Sequence, residues 1–335
     1  MKTGNRLSLA AGVLALILPL AANSQPGLLV EGLQGTSGSA VGPDGALYVT
    51  EGAAGRLSRV DPQTGEVTTV ASGFPPSIIG IGGAIDVAFI GQTPYVLVTL
   101  VGDDLNDVFG PGTVPGGGNI VGIYRVDGPD SFTVIADIGA YSLDNPPTGF
   151  SFFIPTGVQY AIETYRGGLL VTDGHLNRVL WITLDGEISE LMAFGNIVPT
   201  GLELHGNTVY MAQAGPVPHA PEDGKVVSFG VKSTDATEVA AGAPLLVDVK
   251  FGRGRKLYAL SQGTWDGAFE GSAALPGTGS LVEVHGDGSM SVLADGLNIP
   301  TSFQFIGNTA YIVTLLGEIW KMDDVSAPPY GKARP

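Results

Sequence analysis

Leu28 to Leu33 reads LLVEGL, a strand-like segment with no strands ahead of it, and its internal likenesses all end other units. VLADGL at Val292 to Leu297 and TVASGF at Thr69 to Phe74 each close a run of four strand-like segments, whereas the last run, Pro300 to Val325, stops after three. An orphan strand at one end and a three-strand unit at the other complete each other. Joining them shuts a ring of sheets and leaves no unit with a bare edge. The reading is therefore all-β: a six-bladed β-propeller of four-stranded antiparallel blades, its last blade completed by the N-terminal strand.

The second strand of each unit is the clearest marker: LYVTE from Leu47, YVLVTL from Tyr95, LLVTDG from Leu169, VYMAQAG from Val209, LYALSQG from Leu257 and YIVTLLG from Tyr311. Their spacing sits near the roughly 40–50 residues of a four-strand blade, with one longer interval between Tyr95 and Leu170. First strands precede them at Ser39–Val41, Ile85–Phe89, Gly157–Tyr160, Gly201–Leu204, Val247–Phe251 and Ser302–Phe305. Short turns such as GPDG at Gly42, RGG at Arg166 and HGN at His205 join the two as hairpins.

Composition agrees. The chain holds 51 Gly and 23 Pro, only 14% of its residues are charged, and it shows no long amphipathic helix. Without cysteine there is neither a disulfide framework nor thiol chemistry, so burial and ladder closure must supply stability. Residues 1–24 read as a cleaved secretory signal: Lys2 and Arg6, an apolar Leu7 to Ala22, and small residues at Ala22-Asn23-Ser24. The propeller then occupies 25–327 and a tail 328–335, in the periplasm or the medium. The formal charge is −16 and becomes more negative once Lys2 and Arg6 leave, which excludes nucleic acid and anionic lipid as partners. The expected partner is a small molecule or an extracytoplasmic protein, and the expected state a monomer.

In an up-and-down blade, second-to-third and blade-to-blade connections share one rim. That rim carries the long loops Gly102 to Asn119, Ala140 to Pro155, Ala214 to Gly224 and Gly263 to Gly279; the other has tight turns. Long loops on a rigid scaffold are where binding residues concentrate.

GALYVTEGAAGRLSRVD (Gly45 to Asp61) and GGLLVTDGHLNRVLWI (Gly167 to Ile182) resemble the NHL, gluconolactonase and strictosidine-synthase-like six-bladed propellers. With the GPDGALYVTE opening and the Pro-Thr-Gly and Pro-Thr-Ser strand starts, the chain from about 28 to 325 is similar to the ScyD/ScyE family of scytonemin-cluster exported proteins. That resemblance implies an exported propeller assisting with an aromatic or indolic metabolite. The gluconolactonase-like one implies an axial divalent ion and hydrolysis of a lactone or ester.

Three constellations are candidates for chemistry. The pattern Thr-acid-Gly-x-x-x-Arg occurs twice, with Glu51 and Arg56 in blade one and Asp173 and Arg178 in blade three. In each, a hairpin can set acid and arginine side by side as a joint in the scaffold or a polar wall at the mouth. Aligned first strands put Asp86, Gly157, Gly201, Asp248 and Ser302 at one level, so Asp86 and Asp248 face each other across the axis. They either cap strand amides or hold Ca²⁺ or another divalent cation, with Thr156, Thr200 and Thr301 adding oxygens. The gluconolactonase-like pattern has Asn and Asp where this chain has Gly157 and Gly201. Third, His175 and His219 lie on the loop-rich rim, where His175 is the candidate general base beside Asp173. Phe150 to Pro155 and Trp265 are candidate apolar lining, and Asp103, Asp104, Asn106 and Asp107 a candidate calcium loop.

Overall fold

The computed structural model describes residues 25–114 and 118–326; the signal segment and the tail read from the sequence lie outside them. Six four-stranded antiparallel sheets stand around an axis. The N-terminal strand Gly27–Val30 pairs with the last strand, Ile319–Met322, through Gly27–Lys321, Leu28–Trp320 and Val30–Ile319. Leu33 N–H extends the seam to the Gly317 carbonyl at 3.1 Å. Gly317 is required there: its φ is 86°, and a Cβ would run into the Leu33 backbone. The strand Gly27–Val30 thus closes the ring.

The inner strands are Thr36–Val41, Gly83–Ile90, Gln159–Tyr165, Pro199–His205, Leu246–Phe251 and Pro300–Ile306. Each shifts register against its second strand at an equivalent point, for example between Ala84 and Asp86 and between Leu246 and Asp248. The bulge adds a residue and re-aims the side chains after it. Its recurrence aligns the blades residue by residue: Gly38, Asp86, Ala161, Gly201, Asp248 and Ser302 share one level. Blade three therefore differs from the sequence alignment, which had Gly157 there. Gly157 precedes the strand, because Tyr165 pairs with Gly168 across the Arg166-Gly167 turn and brings Ile162 opposite Val171.

Apolar clusters fill the spaces between blades. One joins Val247, Tyr258 and Leu260 of blade five to Phe303, Ala310 and Ile312 of blade six. Five of the six second strands carry a buried hydroxyl at their last residue or the one before it: Thr99, Ser261 and Thr314 at the end, Thr50 and Thr172 next to it. Thr50 Oγ1 donates to Ile85 O at 3.1 Å and Thr172 Oγ1 to Thr200 O at 2.7 Å, each tying one blade to the next. Beside Thr50, a Cβ on Gly52 would collide with Gly82 O, so this glycine lets two blades approach. The repeated motif is an inter-blade joint. Among the described residues no helix is long and apolar enough to cross a membrane.

Candidate functional site

An axial cavity of about 300 Å³ lies beneath the loop-rich rim. Its walls include Ile81, Leu100, Val198, Leu245 and Leu315, with Asn177, Asn196, His175, His219 and Glu270 around the mouth. Its floor includes Asp86, Asp248, Lys250 and Tyr160.

On the floor, the two aspartates repeat one arrangement. Asp86 accepts Val87 N–H through Oδ1 and Ile162 N–H through Oδ2, both at 2.9 Å. Asp248 accepts Val249 N–H at 2.8 Å through Oδ1 and Phe303 N–H at 3.0 Å through Oδ2. Each carboxylate thus spans from its own inner strand to that of the next blade. Lys250 then distinguishes them. Its Nζ lies 3.3 Å from Asp248 Oδ1 and 3.7 Å from Glu203 Oε2, and donates to Leu202 O at 2.7 Å. Burial pushes Asp86 up to about 8 and Glu203 up to about 7, against the pull of Lys250 and of backbone N–H groups. Asp248 is also raised by burial, opposed first by Lys250. Burial alone would lower Lys250, yet the surrounding carboxylates, Asp248 first, hold it above its ordinary value. Tyr160 of blade three packs against the cluster of blades five and six, so its ring spans the axis.

The residues present do not fit a divalent cation. Calcium takes roughly six to eight oxygens and magnesium an octahedron. Here all four aspartate oxygens already accept backbone N–H groups, and an ammonium stands against Asp248 and Glu203. Among the described residues no three His, Asp or Glu side chains form a metal-binding group.

The rim histidines are held in opposite tautomers. His175 Nε2 faces two donors, Phe153 N–H at 3.0 Å and Ile154 N–H at 3.1 Å, so Nε2 is bare and the ring proton sits on Nδ1. Burial lowers its pKa to about 4, and the Phe153 ring meets it edge-on at 4.6 Å. His219 Nδ1 faces the Gly215 carbonyl at 2.7 Å, so Nδ1 carries the proton and Nε2 is bare. Burial lowers His219 as well, opposed by its bonds to Gly215 and Ala214.

Besides Gly201, Ser302 and, within Phe150 to Pro155, Ser151, the other residues singled out from the sequence lie apart from the cavity wall, except Thr200 and Thr301. Their hydroxyls are spent on the backbone: Thr200 Oγ1 donates to Leu246 O at 2.8 Å and Thr301 Oγ1 to Val313 O at 3.3 Å. Thr156 Oγ1 donates to Asp104 Oδ2 at 2.7 Å and anchors the acidic loop, where Asn106 Oδ1 accepts Val114 N–H at 3.0 Å. Glu51 takes two bonds of 2.7 Å from Arg56, one of 2.5 Å from Ser58 and one of 2.8 Å from Gln34 N–H. Burial would raise Glu51, but these donors outweigh it and leave the carboxyl below its usual range. Asp173 and Arg178 do not repeat that fork. Asp173 accepts from Val158 N–H, Leu176 N–H and Gln159, while Arg178 reaches Asn145 O at 2.8 Å and Ser142 Oγ at 2.9 Å. Arg178 thereby clamps the short helix Ile138–Asp144. Trp265 stands behind His219, ring centroids 5.9 Å apart, with its Nε1 bound to Ser272 Oγ at 2.8 Å.

Sequence reasoning missed Lys250, Glu203 and Tyr160. Strand alternation held the signal for Lys250, since a residue two beyond Asp248 emerges on the same side. Tyr160 was hidden by the slipped register of blade three.

The fold is that of several solved propellers. A gluconolactonase from Xanthomonas campestris superposes with TM-score 0.59 at 12% identity, over 88% of each chain. Virginiamycin B lyase from Staphylococcus aureus gives 0.51 at 15% identity, over 89% of this chain and 98% of that one. The PQQ-bound aldose sugar dehydrogenase of Streptomyces coelicolor gives 0.55 at 15%, over 88% and 96%. At such identities these likenesses show the six-bladed architecture alone. No protein-family model matches the chain, and no curated protein matches it.

Proposed function

We propose that the protein binds a small organic molecule in the axial cavity, outside the cytoplasm and without a metal ion. The observation that carries this reading is the cavity itself: apolar walls, a few polar groups at the mouth, and a floor closed by Tyr160 and the Asp86–Asp248–Lys250 level. Its volume is at the small end of ligand sites. The basic and apolar start of the chain, Lys2 to Ala22, supports export. The resemblance to the ScyD/ScyE family supports an aromatic ligand handled in an accessory role. Metal-dependent lactone or ester hydrolysis is not favoured, because an ammonium stands where the cation would be needed.

Asn196, exposed at the mouth, offers a test. Asn196→Trp is expected to weaken binding of any cavity ligand found in a thermal-shift screen of aromatic compounds by about tenfold or more, with the melting temperature of the free protein unchanged. Undiminished affinity in calorimetry would place the ligand elsewhere.

A second reading, a platform for an extracytoplasmic protein, has one observation in its favour. Phe109, Phe153, Phe269, Leu275 and Leu316 are exposed apolar side chains, and all sit on the loop-rich rim.

A further inference from the structure

The geometry points to His175 and His219 as a matched pair, one donor and one acceptor, that selects a neutral ligand bearing both an N–H group and a carbonyl, an amide being the simplest case. This deepens the reading of the axial cavity as the ligand site and rests on it.

Both imidazoles line the cavity, from the second-to-third-strand connections of blades three and four. Their tautomers follow from the chemistry of their partners. Backbone N–H groups only donate, so the Nε2 of His175 has to accept, and its remaining nitrogen, Nδ1–H, is a donor. A carbonyl only accepts, so the Nδ1 of His219 has to donate, and its remaining nitrogen, Nε2, is an acceptor. Neither remaining nitrogen has a hydrogen-bond partner among the described residues. His219 is 8% exposed, and its bare Nε2 is not among the fully buried atoms without a partner, so it opens to the cavity, where a ligand donor can take the place of water.

The surroundings hold both rings in place. His219 has φ 57°, a left-handed backbone that a non-glycine residue adopts only when its neighbours impose it. The edge of Trp265 fixes one side of its ring, and Trp265 is itself held by Ser272. His175 is pinned by two backbone amides and by Phe153.

Charge disfavours ionic ligands. An anion would meet Glu270 at the mouth, and the ammonium on the floor, Lys250, is already engaged by Asp248 and Glu203. A cation would leave the bare Nε2 as an acceptor but would waste the His175 donor. A neutral group with one donor and one acceptor satisfies both nitrogens, and an analogue lacking the donor would cover the acceptor and shut out water without pairing it.

Benzamide and N,N-dimethylbenzamide make the test, titrated by calorimetry or saturation-transfer NMR against the full chain. They share the ring and the carbonyl, and only benzamide carries N–H. The wild type is expected to bind benzamide about tenfold more tightly or better. His219→Phe should erase that preference by weakening benzamide, and His219→Gln, which keeps an acceptor, should restore part of it. His175→Leu should weaken both amides; because it also releases the Phe153 and Ile154 amides, His219 is the deciding position. Equal affinity for the two amides, no saturable benzamide binding, or a preference unchanged in His219→Phe would overturn the pair. Benzamide binding that survives Asn196→Trp would instead count against the cavity as the site.

Discussion

Blades one to three and blades four to six carry the same device at the axis, and the side chains two residues beyond it set them apart. In the first half Gly38 faces Asp86, whose carboxylate receives Ile162 N–H; in the second Gly201 faces Asp248, whose carboxylate receives Phe303 N–H. Two residues further along the strand the first half has Ala88 and the second Lys250. The shared part explains why the aspartates are there at all: they stitch adjacent inner strands together. The difference shows what a buried ammonium adds. It supplies Asp248 and Glu203 with a fixed counter-charge, which Asp86 has only at longer range.

The largest effect is expected from making the halves alike. Lys250→Met leaves Asp248 and Glu203 buried without their cation and should cost about 3–5 kcal/mol in urea denaturation. Recovery of that loss on adding calcium would show that the carboxylates can take an ion once the ammonium is gone. No loss at all would refute the role given to Lys250.

The pH dependence comes next. Asp86 and Glu203 have folded pKa values raised above their unfolded ones, so the folded state holds their protons more tightly. Their stabilisation is complete below the unfolded values of 3.8 and 4.5 and is lost as pH rises through about 8 for Asp86 and about 7 for Glu203. Denaturation followed from about pH 5 to about pH 9 should therefore show falling stability, and in Lys250→Met the fall should be larger and extend to higher pH, because the ammonium that holds both carboxyls down is gone. A flat profile would mean that these carboxyls are not shifted in the folded state.

The smallest effect tests the shared part. A Cβ at Gly201 would sit 2.5 Å from Asp248 Cα, and one at Gly38 the same 2.5 Å from Asp86 Cα. Gly38→Ala and Gly201→Ala should each cost about 1–3 kcal/mol and by similar amounts, whereas Gly195→Ala, with no neighbour within 4 Å, should cost little. Unequal costs would break the equivalence of the two halves.

Much of this was legible before any coordinates. LLVEGL at Leu28 and the truncated run after Pro300 announced the closure, because strand pairing leaves a local hydrophobic signature at each end of the seam. Asp86 and Asp248 stood out because repeats reveal a charged residue at an otherwise small or apolar position. Blade three misled for a physical reason: its hairpin turns at Arg166-Gly167, four residues later than an alignment on Tyr160 allows, and the misplaced Gly157 concealed Ala161. The pairing of Asp173 with Arg178 was inferred from a motif that blade one does obey, but the helix Ile138–Asp144 offers Arg178 other partners.

The sequence by itself determined the ring, its closing seam, the number of blades and which rim carries the long loops. Those properties follow from alternation, turn chemistry and repeat length, all of which act between near neighbours in the chain or between copies of one pattern. Only the tertiary structure decided which nitrogen of each rim histidine is bare, where the Lys250 ammonium rests and that Tyr160 spans the axis. Each of these depends on backbone amides, carbonyls or side chains supplied by other loops and other blades, and no local pattern encodes such a meeting.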